Sequence, residues 1–313
     1  GTKANTLMDY SDTTVRYSMA TGLFTINGTS LAIKQDRLHF VGEYLSAGVP
    51  KILDKQHFIE DFYDENLPEI PTDRQEFMKS DILLLKQTAQ NVGVNEGIIK
   101  DIKEDGGLLE LKYSRKLLEE LILEKKEYQF YIDQRNKEQI EDIKEIFRKI
   151  TNREIIGGSD YYPAWAEWAV WRVLLSINTI ASKIGETRNF RIDSDLFPIH
   201  HAKSGVADLV FCYPGDYIIP TEVTLNSGER QYATEREPVQ THILHISEEN
   251  PSKQVIGLFV APEINPRTAH SFFNDIDWSD KRKCVIKLNI IPLTITQLIS
   301  FLPNERNGCT SSR

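Results

Sequence analysis

The chain has 313 residues, of which 40% are hydrophobic and 27% charged, with a formal net charge of −9. That is enough chain for two or three domains with sizeable cores. The acidic balance lacks the overall basic footprint of most nucleic-acid binders, although local clusters such as Asp280-Lys281-Arg282-Lys283 remain. No apolar run approaches the ~18 residues of a membrane span, and no signal-peptide layout opens the chain, so a cytoplasmic protein without membrane contact is expected. The three cysteines are scattered without CxxC spacing, which argues against a zinc site or a disulfide framework.

Residues 1–34 predict a helix over Val15–Ala20, capped by Asp12 or Thr13, and then a hairpin over Phe24–Ile33 with Asn27-Gly28 at its turn. Helix followed by hairpin is how a winged-helix unit ends. Residues 35–150 are helical in pattern. Apolar positions recur three and four apart over Asp73–Val92, Val94–Lys103, Leu108–Ile132 and Lys137–Ile150, with breaks at Pro68, Pro71 and Gly106-Gly107. This stretch reads as a helical linker region.

From residue 151 to 313 aromatics and β-branched residues cluster, and a third region begins. Tyr161–Ile184 predicts a helix opening near Ser159-Asp160, with Pro163 in its first turn; Trp165, Trp168 and Ala169 lie on one side with Leu175, Trp171 lies nearby, and Glu167 is the odd acid in this apolar helix. Strands are expected at Asn189–Ile199, 206–213, 217–225, Val255–Ala261 and Cys284–Leu293. Helices are expected after Asn226 or Ser227, with Pro238 starting a fresh turn, and at Thr268–Asn274 and Thr294–Leu302. Hairpin strands followed by a strand–helix–strand crossover give an α/β fold: a mixed β-sheet flanked by helices.

The chemistry concentrates between Gly205 and His242. Pro214-Gly215-Asp216 is a turn signal, and Asp208 and Glu222 each lie seven residues from Gly215, so a symmetric hairpin sets them opposite each other on one face. Two half-buried carboxylates at that spacing repel, and a divalent cation removes the repulsion. Alternation places Thr224 on the same face. An acid, a short hairpin and then Glu-x-(Lys or a substitute) is the pattern of PD-(D/E)xK metal-dependent nucleases; here Thr224 stands where the lysine is usual.

Beyond the pair, Glu222-Val-Thr, Gly228-x-x-Gln231, Glu235-Arg-Glu237-Pro-Val, His242 and Leu258-Phe-Val-Ala-Pro-Glu-Ile-Asn265 follow as a run, and Ala166-Glu167-Trp-Ala-Val-Trp171 precedes it. The run resembles the AlwI-type family of type IIS restriction endonucleases, which includes nicking enzymes. The resemblance is firm over about 160–265 and fainter over 10–35. It implies a restriction-endonuclease-like core over 151–313, preceded by a helical linker over 35–150 and the end of a DNA-recognition domain over 1–34. It implies Mg²⁺-dependent cleavage of double-stranded DNA at an offset from a recognised sequence, with Mn²⁺ as a substitute ion. The family's catalytic acids map onto Glu167, Asp208, Glu222 and Glu235, with Asp208, Glu222 and the Val223 carbonyl as metal ligands.

Gln231 is a candidate for positioning water. Arg230, Arg236, His201, Lys281, Arg282 and Lys283 are candidate DNA contacts, and His242 and His245 read mainly as packed or solvated helical residues. Cleavage of both strands would need a second nuclease subunit or a second copy. The competing expectation, raised by Thr224 and the acidic balance, is a catalytically silent DNA-binding or assembly module. A small-molecule phosphohydrolase ranks behind it, because the sequence shows no phosphate-cradling Gly-rich loop.

Overall fold

The computed structural model describes residues 2–21, 23–27, 30–34, 37–46, 71–156, 161–177, 179–193, 195–274, 276–279 and 283–302. The chain packs as two compact units. One comprises Gly1–Ala20, Ile26–Ser30 and Glu127–Arg313; the other comprises Thr21–Thr25 and Leu31–Lys126.

In chain order, helix α1 spans Thr2–Ala20, strands β1 and β2 span Phe24–Asn27 and Ser30–Ile33, and helix α2 spans Leu38–Ser46. The first helix is much longer than the Val15–Ala20 segment expected. Asp12 and Thr13, the expected caps, lie inside it, where neighbouring hydroxyls bond along the helix: Thr14 Oγ1 donates to the Tyr10 carbonyl at 2.8 Å and Ser18 Oγ to that of Thr14 at 2.9 Å. β1 and β2 pair as the hairpin signal requires; Gly28 lies outside the described residues.

Helices α3 (Gln75–Asn91), α4 (Glu96–Asp101), α5 (Leu108–Asp133) and α6 (Lys137–Asn152) follow. α4 starts two residues later than its periodicity suggests because Asn95 caps it, accepting from Gly97 N at 2.8 Å. Met78, Ile82, Leu85, Ile99, Leu111 and Leu118 form the core of the helical unit.

The other unit is built on a sheet. α7 (Tyr162–Ser176) leads to the short strands β3 (Arg191–Ile192) and β4 (Pro198–His200), then to β5 (Leu209–Tyr213) and β6 (Tyr217–Val223). α8 (Gly228–Glu249), β7 (Gln254–Val255), β8 (Gly257–Ala261), α9 (Pro266–Asn274), β9 (Ile276–Ser279), β10 (Cys284–Lys287), β11 (Ile290–Thr294) and α10 (Ile295–Ile299) complete it. The sheet runs β11-β8-β6-β5, with β7 also on β6. β5 and β6 are antiparallel, whereas β6–β8, β6–β7 and β8–β11 are parallel. It is the mixed sheet flanked by helices that the element order predicts.

Alternation along the strands divides its two faces. Leu209, Phe211 and Val260 pack with α6, α7 and α10, whereas Ile218, Phe259 and Ala261 pack with Val239 and Ile243 of α8 and Phe272 of α9. α8 lies so close that a Cβ at Gly257 would stand 2.0 Å from Ile243 Cδ1, so any side chain there would force Ile243 to move.

Five expected elements of this unit differ. The helix expected to reach Ile184 stops at Ser176. There the chain turns extended, and Ala181 N donates to the Cys212 carbonyl at the sheet edge at 2.8 Å. The strand expected over Asn189–Ile199 is a two-stranded hairpin, because Asp193 Oδ1 accepts from Asp195 N at 2.8 Å and Phe197 N at 3.0 Å and folds the chain back. The strand expected over Cys284–Leu293 divides at Leu288-Asn289. β10 pairs with β9, while the Asn289 carbonyl accepts from Gly257 N at 2.7 Å and starts β11 on β8. Finally, α8 runs through Pro238 without a fresh start, held by Val239 and Ile243 against the sheet. The last helix is also shorter than expected, a single capped turn with Thr294 and Gln297 forming a capping box.

Candidate active site

The hairpin sets the geometry. Tyr213 pairs with Tyr217 across Pro214-Gly215-Asp216, where Gly215 and Asp216 hold φ of 84° and 62°. The register runs Leu209↔Thr221, so the next position along it sets Asp208 opposite Glu222. Asp208 precedes the ladder proper, and Oδ2 accepts from Val223 N at 2.7 Å. Its carbonyl accepts from Asn189 N at 2.9 Å, which fixes the backbone as well as the carboxylate.

Glu222 faces α8, where His242 Nδ1 lies 2.6 Å from its Oε1. About two turns earlier on that helix stands Glu235. Its Oε1 accepts from Asn226 Nδ2 at 2.5 Å, Thr224 Oγ1 at 3.1 Å and Thr234 Oγ1 at 3.2 Å. Glu167 enters from α7 on the other face of the sheet; it is buried, and Oε2 accepts from Ala202 N at 2.7 Å.

These acids lie near enough to feel one another's charge. Burial pushes the Asp208 carboxyl well above the usual range, and the charges of Glu167, Glu222 and Glu235 push it further, against the Val223 amide. Glu167 is raised to about 8, by burial first and by the Glu222 charge, against its Ala202 bond. Glu222 is raised by burial more than the His242 contact lowers it, and the same contact raises His242.

All four are hard oxygen donors in mutual repulsion, which a divalent cation would offset. Among the described residues no three His, Cys, Asp or Glu side chains form a ready-made metal cage. Mg²⁺ does not require one, since it keeps several waters and takes one or two carboxylates. The residues therefore fit that ion.

Thr224 is buried. Besides donating to Glu235, its oxygen accepts from Asn226 N at 3.1 Å. At the position where lysine is usual, the hydroxyl therefore holds Glu235 and the loop after β6. Thr224→Val is expected to lower DNA cleavage roughly tenfold and Thr224→Ser to retain it, a ratio that single-turnover rates would measure.

Gln231 is fully buried. Nε2 donates to the carbonyls of Asn226 at 2.9 Å and Glu263 at 2.8 Å, and Oε1 accepts from Asn265 N at 2.8 Å. With both ends of its amide bound to backbone, it ties two loops together.

His201 sits beside the cluster, its Nδ1 2.6 Å from the carbonyl of Ala202, whose amide bonds Glu167. Arg230 and Arg236 are exposed on α8, and Lys283 is exposed just before β10. Lys281 and Arg282 lie outside the described residues. The contacts of His242 with Glu222 and of Asn226 with Glu235 were not visible in the sequence. The only hint was His242 about two helical turns after Glu235, at a position that faces the sheet once α8 is continuous.

A mixed sheet between helices, with carboxylates from a hairpin and two flanking helices gathered at one place, is the architecture of a restriction-endonuclease-like fold. The chain belongs to the AlwI restriction endonuclease family, whose model matches residues 1–301. It is accordingly a nuclease whose class of substrate is DNA. Among solved structures it is similar to the small subunit, R.BspD6I2, of the heterodimeric restriction endonuclease R.BspD6I. The identity is 21% and the TM-score 0.40, over 51% of this chain and 76% of that one. No curated protein sequence matches it significantly. Among the described residues no helix is long and apolar enough to cross a membrane.

Proposed function

We propose that this chain hydrolyses phosphodiester bonds of double-stranded DNA with Mg²⁺, at an offset from the sequence it recognises, as a type IIS restriction or nicking enzyme. One observation supports the reading: Asp208 and Glu222 continue the hairpin register opposite each other, only partly open to water, and burial raises both carboxyls, with neighbouring acid charges adding to it.

Asp208 and Glu222 would hold the ion, with the Val223 carbonyl on the same strand end. When bound, Mg²⁺ supplies Lewis-acid polarisation of the phosphoryl oxygen and acidifies its water. The protein's own groups do the rest. The Val223 amide fixes Asp208 Oδ2, and His242 fixes Glu222 Oε1. Glu167, titrating at about 8, can hold a proton at neutral pH or release it to solvent. Glu235 is anchored through Oε1 by Asn226, Thr224 and Thr234. A single cluster acts on one strand per event, so breaking both strands requires a second copy or a second subunit.

The test is conversion of supercoiled plasmid with Mg²⁺ or Mn²⁺ against a chelator. Cleavage only with the ion supports the reading; equal cleavage in chelator overturns it. An ion-independent DNA affinity without cleavage would instead identify a silent binding module.

Titration supplies a second check. Glu167, Asp208, Glu222 and His242 all have folded-state values raised above their ordinary ones. In each case the folded state binds more protons than the unfolded one in the window between the two values, so stability falls as pH rises through it. The melting temperature of the metal-free protein is expected to fall between about pH 5 and 8. Mg²⁺ should flatten the slope, and Glu167→Gln should raise the metal-free value at pH 8. A melting temperature that rises over this range would contradict the buried cluster.

A further inference from the structure

A second feature of α8 lies beside the carboxylates. Tyr232, Arg236, Pro266, Arg267, His270 and Ser271 line an open cavity of about 430 Å³ between α8 and α9. The Arg267 guanidinium lies 4.4 Å over the Tyr232 ring, and that of Arg236 lies 6.0 Å over the same ring. Two cations thus share one aromatic platform, with a histidine on the same wall and no carboxylate in the lining. Arg267 Nη1 also reaches Glu229 Oε2 at 2.9 Å, a rim pair with both side chains more than half exposed and so weak and displaceable.

The sequence interleaves this groove with the acids. Glu235 belongs to the cluster and Gln231 ties the loops beside it, and the residue that follows each, Arg236 and Tyr232, lines the groove. Gln231 fixes the relation further, because its Oε1 holds Asn265 N, and Asn265 Oδ1 caps α9 at Arg267 N at 2.8 Å. The groove therefore stands at a set offset from Glu235. A polyanion cannot approach four carboxylates in a chain of formal charge −9 without local cations near the reacting phosphate.

We propose that this groove holds the sugar-phosphate backbone of the DNA strand flanking the phosphate at the carboxylate cluster, with Arg236 and Arg267 each contacting a phosphate. The proposal rests on the nuclease reading and assigns it a strand-holding surface that includes Tyr232, Arg267 and His270.

Duplex affinity by fluorescence anisotropy, in chelator so that nothing is cut, tests it across salt concentrations. Arg236→Gln/Arg267→Gln is expected to reduce the slope of log affinity against log salt by about two units. Arg236→Lys/Arg267→Lys should keep the slope, since a phosphate contact survives as a point charge. In cleavage assays the glutamine pair should raise KM and leave kcat near wild type. A wild-type slope in the glutamine pair overturns the strand-holding assignment while the nuclease stands. Loss of slope in the lysine pair as well would also overturn it, showing a folding defect rather than lost charge. A wild-type chain that neither binds nor cuts DNA overturns both readings.

Discussion

Glu222→Ala is expected to abolish divalent-metal-dependent DNA cleavage, lowering the rate by about a thousandfold or more, the scale of losing a preorganised charge at a reacting centre. The expectation comes from its place. Glu222 stands opposite Asp208 in the register, faces α8, and is the partner of His242 at 2.6 Å. Removing it strands His242 without its anion, and a cation at the site would have one carboxylate of the facing pair instead of two. Stability should move the other way in the metal-free protein, because a buried like charge disappears. Lost cleavage with an unchanged or raised melting temperature separates this account from simple misfolding. Plasmid relaxation and thermal melts on one preparation measure both, and full activity in the variant would sink the assignment.

Arg172→Ala is expected to give the largest loss of stability, about 3 kcal/mol. This guanidinium is 1% exposed. Nε donates to Gln134 Oε1 at 2.6 Å, Nη1 to Asp142 Oδ2 at 2.5 Å and Nη2 to Gln139 Oε1 at 2.7 Å. It also lies 4.5 Å over the Trp168 ring. One residue thereby joins α5, α6 and α7, the helix that delivers Glu167. Alanine would leave a cavity beside Trp168 and an unpaired Gln134 amide in the interior. Asp142→Asn should cost far less, under about 1 kcal/mol, because the Asp142 side chain is 54% exposed and water takes over its solvation. Denaturant unfolding of the two variants compares them; equal losses would show that the ion pair, rather than burial of the guanidinium, stabilises the helices.

What could be read from the sequence was what local spacing determines. Asp208 and Glu222 are equidistant from Gly215, and a symmetric hairpin needs nothing else to oppose them. The alternation that exposes one face of β6 to α8 likewise places Glu222 and Thr224 together. The helices of residues 75–152 follow their own apolar periodicity, and Gly106-Gly107 separates two of them. Element ends were less legible wherever a distant group sets them. The Cys212 carbonyl draws Ala181 to the sheet edge and ends α7 early, and Gly257 recruits Asn289 and divides one expected strand into two.

The site shows the same division. Its acids stand out by residue type, but the groups that orient them come from far along the chain: Ala202 on Glu167, Val223 on Asp208, Asn226 on Glu235 and His242 on Glu222. Gln231 illustrates the limit best. Its side chain suggested water positioning in a one-dimensional reading, whereas burial among three backbone groups makes it a tie between loops. Thr224 presents the converse: the position that looked like a missing lysine anchors an acid through its hydroxyl.

The central claim is that Asp208 and Glu222 together hold a divalent ion, and a crystal of this chain grown with Mn²⁺ tests it most directly. The anomalous difference map should show a peak between the carboxylates of Asp208 and Glu222, and that peak should vanish in Asp208→Asn. A map with no density between those two side chains at saturating Mn²⁺ would contradict the account.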